Sequence, residues 1–261
     1  ACADTLIIGP VNVIDMRSGA VTHAQSVTVI DGIVSNIGPH APPGGGEDDK
    51  HIDGRGGWLL PGLAEMHAHV PPASRGEQYT RDVLTLFLAN GVTTIRGMLG
   101  ETWHLELREM LQRQQWPGPQ LITSGPSFSG ATVSSPGQAV QRAREQAAAG
   151  YDFLKLHPGL EPAEFQAIAE TARELNLPFA GHVSFEVGLT AALAARQATI
   201  DHLDGYAEAL VPEQSDLHGV APAFFGINLA AAMDPRRAQA LARTTASSGV
   251  WNVPTESLLE N

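Results

Sequence analysis

The stretch YDFLKLHPGLEPAEFQAIAETARELNLPFAGHV, Tyr151 to Val183, decides the fold. It opens with a short apolar run, Phe153 to His157, breaks at Pro158 and Gly159, and continues as EPAEFQAIAETARELN. Apolar residues at i, i+3, i+4 spacing line one face of a helix, and a Pro near the start is a helix-opening signal. A second short apolar run follows from Phe179 to Val183. Strand, amphipathic helix and strand in turn is the signature of a parallel sheet covered by helices.

The unit recurs on both sides. Strands are predicted at Leu63 to His69, Val92 to Arg96, Gln120 to Ser124, Thr199 to Leu203 and Val250 to Pro254. Between them lie amphipathic stretches such as TRDVLTLFLANG, SPGQAVQRAREQAAAG and SFEVGLTAALAARQ. A repeat of roughly 20 to 30 residues fits an α/β fold of the (β/α)8 TIM-barrel type. Seven strands are found, so the barrel is expected to be incomplete. No G-x-G-x-x-G follows any strand, which argues against a dinucleotide-binding sheet. The text before Pro61 differs: TLIIGPVNVID, SVTVIDGIVSNIG, the Pro and Gly cluster APPGGGEDD, and GWLLPG are short apolar runs broken by turns, which are β signals. Residues 1–58 are therefore read as a β-rich domain and 59–261 as the barrel.

Composition narrows the function. The chain has 261 residues, 43% hydrophobic and 17% charged, with a formal net charge of -12. Clustered Lys and Arg that neutralise phosphates are absent, so no nucleic-acid partner is expected. No apolar run approaches the ~20 residues of a membrane-spanning helix. The only cysteine is Cys2, so a metal would have to be held by His, carboxylate or modified Lys. A chain starting at Ala1 with Cys2 beside it fits a trimmed leader, a lipid-bearing Cys and export to a bacterial envelope, or simply a cut made elsewhere. The exported, periplasmic reading is placed slightly ahead of a cytoplasmic one.

In a barrel, chemistry belongs at the C-terminal ends of the strands. Four of the ten histidines are placed there: His67 and His69 in LLPGLAEMHAHV, His182 in FAGHV, and His202 in TIDHL. Strand alternation turns His67 and His69 to one side, which suits two ligands of one cation and equally the polar end of a buried strand. His23, His40, His51, His104 and His218 are read as solvated. In YDFLKLH, alternation sends Leu154 and Leu156 to the helices and Phe153, Lys155 and His157 into the barrel. An inward lysine is disfavoured as a cation by burial and by any nearby metal. As a neutral amine it can take up carbon dioxide to form a carbamate, an anion able to bridge two cations. The alternative is an ammonium that reaches solvent or a carboxylate.

The order PGLAEMHAHV, GVTTIR, FLKLH, AGHVSFEVGL and IDHLDGY resembles the amidohydrolase superfamily of metal-dependent hydrolases, in its imidazolonepropionase-like and prolidase-like branch. The resemblance spans nearly the whole chain and implies that residues 1–58 are the N-terminal part of a small β-sandwich domain. It implies His67 and His69 on a first divalent metal, His182 and His202 on a second, and a carboxylated Lys155 as bridge. Nitrogen and oxygen ligands suit zinc, with other first-row divalent ions possible. The implied reaction is attack of a metal-bridging hydroxide on an amide carbonyl of a short peptide or N-acyl amino acid. A lactonase or cyclic-amide hydrolase on the same site is the neighbouring reading, and an inactive barrel fragment serving as a binding or structural module is the other.

Three further residues are assigned to substrate. Tyr206 stands where related dipeptidases carry a tyrosine bonded to the scissile carbonyl, and it is read as a catalytic and substrate-binding residue or as an ordinary loop aromatic. Arg96 is assigned a substrate carboxylate or an internal ion pair, and His157 a place behind the ligands. Asp201 and Asp204 are read as orienting or capping residues, and the loop from Asp204 to Asn228 as a shaper of substrate choice. Glu65 replaces the family's usual Asp and is expected deep in the barrel, in packing and salt bridging. The family's last ligand, an aspartate ending the eighth strand, has no counterpart after His202. This predicts a chain lacking the C-terminal part of the family fold and dependent on that part, or on a second copy, for stability and activity.

Overall fold

The computed structural model describes residues 4–40 and 49–256. Cys2 and most of the cluster APPGGGEDD lie outside the described residues. The chain divides into two compact units between Gly62 and Leu63.

The first unit is built on one five-stranded sheet. β1 (Thr5–Ile14) pairs antiparallel with β2 (Val21–Ile30), and β2 with β3 (Ile33–Gly38). On its other side β1 takes β4 (Lys50–Asp53) and β5 (Trp58–Leu59) in parallel. The β2–β3 hairpin turns on Asp31 and Gly32, both at positive φ (49° and 78°), as an Asp-Gly type I′ turn requires. Ile7, Val11 and Val27 are buried, while Ile33, Val34 and Ile37 face out.

The second unit alternates parallel strands with helices. Its strands are β6 (Leu63–Ala68), β7 (Val92–Gly97), β8 (Gln120–Thr123), β9 (Leu154–Leu156), β10 (Phe179–Gly181), β11 (Thr199–Asp201) and β12 (Trp251–Val253). They pair in sequence order as β6-β7-β8 and β9-β10-β11-β12, and single bridges from Ser124 to Phe153 and from Phe128 to Leu156 join the two ladders. The result is an incomplete barrel: among the described residues no ladder joins β12 to β6. The helices are α1 (Glu77–Ala89), α2 (Trp103–Gln112), α3 (Pro136–Ala149), α4 (Pro162–Glu174), α5 (Gly188–Ala194), α6 (Tyr206–Leu210) and α7 (Ala238–Ser248). Among the described residues none is long and apolar enough to cross a membrane.

Local chemistry explains the boundaries. Ser135 caps α3, its hydroxyl accepting from Gln138 N at 3.3 Å, with Pro136 behind it, and the helix ends at Gly150 in the left-handed conformation. α4 opens at Pro162, and Glu164 reaches back to accept from Glu161 N at 3.0 Å. Strand alternation then sorts the core. Leu154 and Leu156 pack outward with Phe165, Ile168, Phe179 and Ile200 under the helices, while Phe153 turns inward against Met98 and Ala180.

Candidate metal centre

The polar rim is assembled from four strands. His67 ends β6 and His69 follows it; Lys155 is central in β9 and His157 just beyond; His182 follows β10; Asp201 closes β11 and His202 follows. Their rings form a chain, with centroid separations of 5.3 Å for His67–His69, 4.7 Å for His67–His202, 4.9 Å for His182–His202 and 4.9 Å for His157–His182. Sequence alternation accounts for part of this convergence. The backbone accounts for the rest: His202 and Leu203 both turn through positive φ, 57° and 59°. In an extended strand His202 would point away from Asp201; the left-handed turn brings it back to the same side.

Gly181, immediately before His182, sits at φ 129°. A Cβ there would lie 2.3 Å from Leu156 O and 3.0 Å from Lys155 Cδ. The AGH sequence is thus a condition for His182 to follow a strand packed this closely on Lys155.

The hydrogen bonds fix which ring nitrogen His182 and His202 present. His182 Nδ1–H donates to Asp204 Oδ2 at 2.8 Å. His202 Nδ1 lies 2.7 Å from Thr255 Oγ1, whose proton goes to Pro254 O at 2.6 Å, so the ring donates and the hydroxyl accepts. Both rings keep an Nε2 lone pair free. His67 Nε2 and His69 Nε2 face each other at 3.3 Å. Two nitrogens bound at about 2.0–2.1 Å to a tetrahedral cation stand ~3.3 to 3.4 Å apart. Burial lowers the pKa of His69 and of His202, with the neighbouring rings adding to it, and both effects favour the neutral ligand form.

Behind the rings lies a buried charge pair. Lys155 and Asp201 are wholly inaccessible, and Lys155 Nζ donates to Asp201 Oδ2. The same oxygen lies 3.3 Å from His67 Nδ1, near enough for attraction but not aligned as a hydrogen bond. Burial lowers the Lys155 pKa, against the opposing pull of Asp201. Burial alone would raise Asp201, but the His67 ring and the Lys155 charge hold its carboxyl well below the usual carboxylate range. Among the described residues the buried Asp201 Oδ1 has no partner, and ligand atoms of His67, Asp201 and His202 lie within 4.8 Å of one another. A converging set of imidazoles, an orphaned carboxylate oxygen and a buried amine fits a divalent cation.

Several expectations are corrected. Tyr206 lines the cavity beside His182 and His202, but its hydroxyl is committed within the fold, to Thr245 Oγ1 at 2.8 Å on α7 and Asn252 Nδ2 at 3.1 Å on β12. Arg96 is an interior brace: its guanidinium donates to Met66 O and Thr199 Oγ1, each at 2.9 Å, so a substrate carboxylate does not reach it. Glu65 is exposed, and it accepts from His67 N at 2.7 Å. His104 is fully buried rather than solvated, with Nδ1 accepting from Glu101 N and Nε2–H donating to Pro71 O, both at 3.1 Å. His157 does lie beside His182, and burial lowers its pKa to about 4. Thr255 and the central place of Asp201 were not foreseen; period-two alternation from Thr199 would have pointed Asp201 inward.

Parallel strands under helices, with titratable residues gathered where the strands end, define a barrel-type enzyme site. Residues 58–257 match the amidohydrolase family, and the chain belongs to that family of hydrolases. Among curated proteins none matches the sequence. Solved structures that resemble it include a prolidase complexed with N-methylphosphonate-L-proline (17% identity, TM-score 0.70, 95% of this chain and 77% of that one). A Xaa-Pro dipeptidase with bound methionine in its active site is similar at 17% identity and TM-score 0.67, over 96% of this chain and 79% of that one. A bottromycin amidohydrolase is similar at 23% identity and TM-score 0.63, over 80% of this chain and 44% of that one. At these identities the likeness establishes the fold.

Proposed function

We propose that the protein is a metal-dependent hydrolase of amide bonds, acting on short peptides or N-acyl amino acids. The observation that carries this reading is the tautomer pattern: His182 and His202 each spend Nδ1–H on a side-chain oxygen and keep Nε2 free, in a ring cluster where His202 lies 4.7 Å from His67 and 4.9 Å from His182. Such outer partners are what orient imidazoles as metal ligands. His67 and His69 would hold one divalent cation, and His182 and His202 a second, with zinc as the ion best suited to this donor set. When bound, the cations supply activation of water and polarisation of the carbonyl. The names of the prolidase and dipeptidase among the similar folds agree with an amide substrate.

The chain's own residues do the rest. Asp204 and Thr255 hold two rings in the ligand tautomer, and Asp201 faces both His67 and Lys155. A carbamate on Lys155 belongs to the same proposal, since burial favours the neutral amine that carbon dioxide requires. Carboxylation would replace the Lys155–Asp201 contact by two facing anions, so it requires cations between them. Metal analysis and a panel of dipeptides, N-acyl amino acids and lactones test the reading. Stoichiometric metal, with amide turnover abolished by chelator and by His182→Ala, is expected. A metal-free protein, or turnover untouched in that variant, overturns it, and turnover confined to lactones moves it to the neighbouring chemistry. Loss of one carbon dioxide on acidifying the native protein is the expected mark of the carbamate.

A further inference from the structure

Beside His182 and His202 lies a cavity of about 620 Å3 whose walls carry an unusual charge balance. Among the described residues three carboxylates line it, Glu186, Asp204 and Glu208, and no Lys or Arg does. Asp204 is committed to His182 Nδ1 and to Val183 N. Glu186 is exposed to solvent. Glu208, on α6, differs from both: it is half-buried, and among the described residues no cation pairs with it. Burial raises its pKa, and the nearby Asp204 charge adds to this. The protein thus keeps a carboxylate in a wall beside its rim histidines without neutralising it from within.

The rest of the wall is apolar. Val183, Phe185, Leu203 and Met233 contribute, and Phe225 stands with its ring 5.9 Å from that of His202. Phe225 holds φ at 52°, a left-handed conformation that bulky residues adopt at some energetic expense.

Taking the hydrolase reading of this site as given, and narrowing its substrates from N-acyl amino acids to compounds with a free amino group, we propose that Glu208 selects the substrate: the enzyme takes aminoacyl amides, with Glu208 receiving the free ammonium group while the aromatic and aliphatic wall takes a large apolar side chain. On the wall that carries Glu208, a substrate's free carboxylate would meet carboxylates and, among the described residues, no Lys or Arg. Such a substrate would be repelled, because like charges facing each other across a site disfavour the wrong ligand.

Three probes separate the contributions by calorimetry on the zinc-loaded protein near pH ~6.5, above the ordinary carboxylate range and below the ~7.7 of an α-amino group, so that both partners carry their charges. They are L-phenylalaninamide, its neutral N-acetyl derivative, and anionic N-acetyl-L-phenylalanine. The amine is expected to bind about tenfold more tightly than the neutral compound, and the anion most weakly. Glu208→Gln is expected to remove about five- to tenfold of the affinity for the amine and leave the neutral compound within about twofold. Glu208→Asp, which keeps the charge, is expected to recover part of the loss. Equal binding of amine and neutral compound by the native protein, equal losses for both in Glu208→Gln, or no binding by any probe overturns the proposal. Hydrolysis of the matching anilides is scored separately. The expected binding order without turnover leaves the charge selection standing and removes the hydrolase reading, whereas turnover indifferent to the ammonium group does the reverse.

Discussion

Replacing Asp201 by Asn tests the energetics of the site's interior. Asp201 and Lys155 are both fully buried, and the substitution keeps the shape of the side chain while removing its charge. Breaking one side of a buried pair typically costs about 3 to 5 kcal/mol, because the other charge is left without compensation. Arg96 lies near enough to oppose the lysine's charge further. The loss has a ceiling, since Lys155 can fold as the neutral amine. Bringing an ordinary lysine from a pKa of ~10.4 to neutrality at pH ~7 takes about 1.4 kcal/mol per unit, or ~4.6 kcal/mol. The expected destabilisation is therefore about 3 to 4.5 kcal/mol at neutral pH.

The sign of its pH dependence follows. With Lys155 neutral in the folded variant, the unfolded chain binds more protons, so the variant gains stability as pH rises and the deficit shrinks between pH ~7 and ~10. The assay is urea unfolding of chelator-treated protein, followed by the fluorescence of its four tryptophans. Lys155→Met alone should be similarly damaging, and the double variant should lose at least ~2 kcal/mol less than the sum of the singles. A loss in Asp201→Asn under ~1 kcal/mol, or strict additivity, would refute the buried-pair argument.

Three other variants probe separate parts of the account. His104 is bonded as a neutral ring and its pKa is lowered by burial, so its contribution to stability is present above pH ~6.5 and is lost as pH falls through its folded value. His104→Gln should make the acid limb of the stability profile shallower, and an unchanged slope would contradict this. Gly181→Ala should destabilise by about 2 to 4 kcal/mol through overpacking and backbone strain, and weaken metal binding, as read by thermal unfolding and metal titration. An unchanged melting temperature would remove the close-approach argument. Tyr206→Phe loses hydrogen bonds to Thr245 and Asn252 and should cost about 0.5 to 1.5 kcal/mol of stability while leaving turnover within about twofold. A hundredfold loss of turnover at unchanged stability would return the hydroxyl to the reaction.

The fold was legible because its signal is periodic. Each strand of the second unit pairs apolar alternation with a following helix, and Leu154 and Leu156 face the helices while Phe153 turns in, as alternation requires. α2 and α7 form where the sequence reading places no helix. α2 carries apolar residues at Trp103, Leu105, Leu107, Met110 and Leu111 but opens without a Ser, Asp or Pro start signal beyond an uncapped Thr102, and α7 follows a loop whose Ala, Pro and Gly content hides its start. Site residues were legible where they end a strand. His67, His69, His182 and His202 could be placed by position, whereas His104 looked like any helix-surface histidine and is buried through contacts 33 residues away in sequence. The roles of Asp201 and Thr255 depend on left-handed turns at His202 and Thr255, neither of them at a glycine or an asparagine. The partners of the Tyr206 hydroxyl, Thr245 and Asn252, were not legible, because sequence gives the position of a hydroxyl along the chain but not what packs against it.

The claim on which the rest depends is that four imidazoles present neutral Nε2 atoms to divalent cations. Zinc-edge X-ray absorption on the protein after equilibrium with zinc and dialysis tests it directly. The account predicts retained zinc with nitrogen and oxygen scatterers at about 2.0 to 2.2 Å and the outer-shell pattern of several imidazoles, weakened in His67→Ala and His182→Ala. Zinc lost on dialysis, or a spectrum unchanged in both variants, would contradict it.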